Sequence, residues 1–118
     1  MKRFTIILST SLAALALSGG VWAAGSTAPA LDPAKIESAK TPADHEAIAK
    51  AYEAEALSIE KMAEMHKNLS QTYGQPGGKP WQAGQAKHCD SVATSLKAAA
   101  QEERALAAEH HKMAKEAG

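Results

Sequence analysis

Apolar residues recur along two stretches of this chain at the three-and-four spacing of a helix that packs against a neighbour. From His45 the stripe runs His45, Ile48, Tyr52, Glu55, Ile59, Met62, His66, Leu69 and Tyr73. From Cys89 it runs Cys89, Val92, Leu96, Ala99, Glu103, Leu106, His110, Met113 and Ala117. A row of alanines lies beside each stripe: Ala49, Ala56 and Ala63 in the first, Ala93, Ala100, Ala107 and Ala114 in the second. The stretches repeat each other at an offset of 44 residues, which pairs Ile48 with Val92, Met62 with Leu106, His66 with His110 and His45 with Cys89. No segment alternates like a strand. The pattern predicts an all-α fold, an antiparallel hairpin of two long helices.

Local signals set the ends of these helices. Thr41-Pro42-Ala43-Asp44 reads as a helix start: Thr41 can cap, Pro42 loses an amide that had no partner, and Asp44 sits where the helix dipole favours an acid. This first long helix is expected to end near Tyr73. Gly74, Pro76, Gly77, Gly78 and Pro80 then form the turn. The second helix is expected to begin between Trp81 and Gln85 and to end near Ala117. Asp32-Pro33 predicts a short helix over about 33–39.

Alanine beside the stripe lets helix backbones approach closely and widens the apolar surface beyond a strict seam. A two-helix hairpin cannot bury both flanks of such a surface, and so short a chain buries little core alone. The pattern therefore predicts that two hairpins pair as a dimeric four-helix bundle.

The chain begins with Lys2 and Arg3, an apolar run from Phe4 to Leu17, and Val21-Trp22-Ala23. These are the parts of a secretory signal peptide, residues 1–23, cut after Ala23. Residues 24–40 then form a flexible segment rich in Ala, Gly, Ser and Pro at its start, and 41–118 the hairpin domain. The expected location is the periplasm or the exterior, with no membrane segment after cleavage. The mature part carries 11 basic and 13 acidic residues, and Arg104 is its one arginine. No basic patch exists, which argues against nucleic-acid binding.

An antiparallel hairpin turning near residue 79 brings to one height residues whose numbers sum to about 158. His45 then lies near His110 and Met113, and His66 near Cys89 and Met62. Imidazole suits copper, and thioether or thiolate selects Cu(I). His45, His66, Cys89, His110, Met62 and Met113 are thus candidate metal ligands. The competing reading is ordinary: hydrogen-bonded core histidines and methionines that pack. Cys89, the only cysteine, has three readings: an inert buried thiol, a ligand for a soft metal, or a bridge to a second chain. Two histidines beside Ala-rich levels also leave non-covalent haem open, whereas covalent attachment would need Cys-x-x-Cys-His.

Glu55 and Glu103 fall at mid-height. Buried together they would need a proton, a cation or water between them; otherwise both lean to solvent near Lys61 or Arg104. A di-iron bundle would show Glu-x-x-His, but Ser58 and Leu106 stand three residues beyond these glutamates. Ser58, Ser91 and Ser95 lack a triad pattern, and the Gly-rich turn follows a helix rather than a strand, so it is not a phosphate loop. The expectation is a protein without enzymatic activity.

Thr41-Pro-Ala-Asp-His-Glu-Ala-Ile-Ala, Tyr52, His88-Cys89, Ala93, His110 and Met113 together resemble a family of small secreted bacterial helical-hairpin proteins with repeated His/Ala/Tyr heptad motifs. The resemblance spans about residues 41–114. Leu96 stands where the first repeat has Tyr52, so the second repeat is degenerate. The resemblance implies a periplasmic hairpin and carries no activity.

Two functions follow from these readings. One is a periplasmic metal-binding protein, for copper before other metals, acting in storage, buffering or delivery. The other is a structural or interaction module whose alanine-lined face docks a partner helix.

Overall fold

The computed structural model describes residues 30–118. Three helices follow one another: α1 (Pro33–Ser38), α2 (Pro42–Tyr73) and α3 (Pro80–Glu116). Strands are absent among the described residues. The long helices α2 and α3 pack along their length as an antiparallel hairpin. The expected signal peptide lies outside the described residues. Among the described residues no helix is long and apolar enough to cross a membrane.

Each start is built as the local chemistry requires. Thr41 Oγ1 accepts from the Asp44 amide, and Asp44 Oδ2 accepts in return from the Thr41 and Lys40 amides. Those donated hydrogen bonds hold the Asp44 carboxyl below its ordinary value. α3 starts slightly earlier than its sequence suggests. Pro80 takes the first helical position, where its missing amide costs nothing, and Gln82 Oε1 accepts from the Lys79 amide. In the turn, Gly77 has φ 80°, a left-handed conformation that favours glycine. Tyr73 and Trp81 meet edge-on across this turn, with ring centroids 6.3 Å apart.

The seam between the helices differs from the stripe read along the chain. Buried between α2 and α3 are Ala49, Ala56 and Ala63 facing Ala93, Ala100 and Ala107. Ala56 is 0% and Ala100 1% exposed. One of the two rows of the stripe shares this seam: His45, Tyr52, Ile59 and His66, with Cys89, Leu96, Glu103 and His110, all at least half-buried. The other row turns outward. Met62 is 43%, Leu106 38% and Met113 41% exposed, and Leu69 and Val92 lie open as well. The physical reason is size: methyl-sized side chains let two backbones approach closely along many turns, and a row of Leu and Met would hold them apart.

This has a second consequence. The alanine rows were expected to seat a second hairpin or a partner helix, but the sister helix already occupies them.

Lettering the heptad so that the buried alanines are position a places the remaining rows. Position d holds the histidine, tyrosine and cysteine row. Every ion pair between the helices joins e positions: Lys67 with Asp90, Glu60 with Arg104, and His111 with Glu46 and Glu53. Arg104 grips Glu60 with two hydrogen bonds, each 2.8 Å. The opposite flank holds the g positions, Ile48, Glu55, Met62 and Leu69 on α2 with Val92, Ala99, Leu106 and Met113 on α3. In an antiparallel pair the g rows of both helices lie on one side, so one flank is charged and the other apolar. α1 covers the Ile48 end of the apolar flank. A cleft of about 310 Å³ between them is lined by Leu31, Ile36, Ile48 and Ala51.

Candidate functional site

The chemistry-bearing residues gather at the open end of the hairpin. His45 lies in the first turns of α2, and His110 in the last turns of α3. Antiparallel packing brings them together, with their Nδ1 atoms 3.1 Å apart and their rings 5.4 Å apart between centroids. At this distance one Nδ1 donates and the other accepts. Tyr52, two turns along α2, stacks on the His110 ring at 5.7 Å. His110 is only 9% exposed. Burial first, then the neighbouring His45 charge, pushes its pKa below 6.5, against a smaller opposing effect of Glu109. The imidazole is therefore neutral near pH 7 and keeps a lone pair.

His111 does the opposite one residue on. Its Nδ1 meets Glu46 Oε2 and its Nε2 meets Glu53 Oε1, both at 2.9 Å. Glu53 and then Glu46 raise its pKa above 6.5. The sequence reading singled out His110 and passed over His111. The usable signal was Glu46 and Glu53, one heptad apart, at the height of a histidine on the facing helix.

The His45–His110 contact also sets the register. Moving three heptads along both chains, in opposite directions, takes His45 to His66 and His110 to Cys89. These two therefore occupy the equivalent layer near the turn. Both are half-buried, Cys89 is a free thiol, and His66 Nδ1 is buried without a hydrogen-bond partner. Met62 does not join them, because it stands on the exposed g row. Met113 likewise sits on that row, one turn beyond His110 and outside the seam. Each expected three-residue set thus reduces to a pair inside the seam with an exposed thioether beside it.

The mid-height glutamates separate. Glu55 is exposed on the g row, whereas Glu103 is half-buried at a d position, with Oε2 lacking a partner. They form no buried carboxylate pair. Arg104, expected near them, binds Glu60 instead.

The donor set can be tested against a metal. A tetrahedral ion with metal–nitrogen bonds of about 2.0–2.1 Å needs its nitrogens roughly 3.3 Å apart. The two Nδ1 atoms would move apart by only a few tenths of an ångström, and the ion would replace the proton they share. Among the described residues no three or more His, Cys, Asp and Glu side chains converge as a ready metal cage. The hairpin thus offers a two-nitrogen bite, with a thioether at its edge. A haem would need a slot for its plane between the two rings. The layer is closed by Ala49 and Ala107, which are fully buried against the seam.

Comparison with protein families, characterised proteins and solved structures found no match for this chain.

Proposed function

We propose that this protein is a copper-binding helical hairpin of the periplasm, acting in storage, buffering or delivery, and that two hairpins pair as a four-helix bundle. The observation that carries the metal reading is the His45–His110 pair. Two imidazoles, that of His110 held neutral by burial, face each other through the same ring atom, at close to the bite of a tetrahedral ion. Met113 beside them, and Cys89 with His66 three heptads away, supply soft donors that favour Cu(I) over Zn(II). Few donors per layer fit a carrier that gives its ion up better than a cage that retains it.

The test is a Cu(I) titration of the mature chain against a competing chelator. Two classes of site are expected. His45→Ala with His110→Ala removes one, and His66→Ala with Cys89→Ser removes the other. Affinity falls in acid, since imidazole must be neutral to ligate. Binding that survives both double substitutions refutes the reading.

One observation favours a second reading, a docking module without metal. Met62, Met65, Leu69, Val92, Leu106 and Met113 leave a large apolar flank in the open. Under that reading the titration shows no stoichiometric uptake.

A further inference from the structure

We propose that the apolar g flank of the hairpin, not its alanine rows, is the surface on which a second copy of this chain docks. The inference rests on the pairing proposed above and says where it happens. Three features point to a second copy rather than to another protein.

The first is self-complementarity. The 44-residue repeat relates the two g rows position by position: Ile48 to Val92, Glu55 to Ala99, Met62 to Leu106 and Leu69 to Met113. Antiparallel packing sets these related rows side by side in opposite directions. The flank is therefore close to two-fold within a single hairpin. The same patch, apolar at every related pair but Glu55 and Ala99, then serves both copies, as an isologous contact requires.

The second is area. Beyond Ile48, which α1 covers, the open row runs for about 15 residues of α2, roughly 22 Å, and about 22 residues of α3, roughly 33 Å at 1.5 Å per residue, on helices about 10 Å wide each. The flank is then on the order of 550 Å² per copy, or about 1,100 Å² in a dimer, just above the roughly 1,000 Å² that a biological interface must clear. No large side chain is fully buried among the described residues, so one hairpin leaves much of its apolar surface in water.

The third is charge. Glu55 is the only charged residue in the two rows. Toward the rim, α2 presents the uncharged Ser58, Met65 and Thr72, whereas α3 presents Glu102 and Glu109. Seating α3 of one copy on α2 of the other keeps the acidic rims apart. All the charges that pair across the hairpin lie on the opposite flank, satisfied within the chain.

The experiment is sedimentation of the mature chain over a hundredfold range of concentration, with three variants. Met62→Glu and Leu106→Glu place a charge on the flank. Leu57→Glu makes the same change at a comparably exposed position, 49% open, off the flank. Wild type and Leu57→Glu are expected to be dimers, and both flank variants to lose the dimer. Because so small a hairpin buries little core alone, thermal midpoints are read as well. The wild-type midpoint is expected to rise with protein concentration, as a dimer requires. A wild type that is monomeric throughout, with a constant midpoint, overturns the pairing itself and leaves the flank to a different chain. A wild-type dimer that survives both flank substitutions, or that Leu57→Glu breaks as readily, overturns the flank while leaving the pairing standing.

Discussion

Replacing Ala100 by leucine probes the seam most directly. Ala100 is 1% exposed and faces the α2 alanines, of which Ala56 is fully buried. Leucine and alanine have similar helix propensities, so the helix itself changes little. The larger side chain has no space to enter. Overpacking a close-packed site costs typically about 1–3 kcal/mol. Ala98 lies exposed two residues away, and Ala98→Leu makes the same chemical change in water. A difference of about 2 kcal/mol between the two variants corresponds to a fall in Tm of about 8–16 °C for a domain of this size. The assay is thermal unfolding by circular dichroism at one fixed protein concentration. Were the Leu and Met row the true seam, Ala100 would sit at its edge, and leucine there would add burial without strain. Equal stability of Ala100→Leu and Ala98→Leu, within about 0.5 kcal/mol, would refute the alanine seam.

Adjacent histidines should give opposite pH responses. The folded pKa of His111 is raised, so its contribution is full below about 6.5 and is lost as pH rises through the folded value. The folded pKa of His110 is lowered, so stability falls as pH drops below about 6.5. Denaturant unfolding from pH 5 to 9 should show His111→Gln losing the alkaline decline and His110→Gln losing the acid one; the same profile in both variants would contradict the assignment. Gly84 stands inside α3 with open space where a side chain would be. Gly84→Ala should therefore stabilise the chain by about 0.5–1 kcal/mol, measured by urea unfolding, and a destabilised variant would show that the position is packed against something.

Much of this protein is legible along its sequence. Thr41, Pro42 and Asp44 mark the start of α2, and the Gly- and Pro-rich turn separates it from α3, because capping and φ restrictions act between neighbours in the chain. The height at which His45 meets His110 follows from turn position and helical rise alone. Which surface of each helix faces the other does not. The apolar surface is three rows wide, and the alanine row and the Met and Leu row share one seven-residue period. Periodicity cannot choose between rows of equal period. Only packing can, and it selects the smaller side chains, because they permit the closer approach of two long backbones. That choice moved Met62 and Met113 out of the seam, left Glu55 in solvent, turned the alanines inward and opened the apolar flank. It also placed His111 between Glu46 and Glu53, a contact between helices that no local pattern contains.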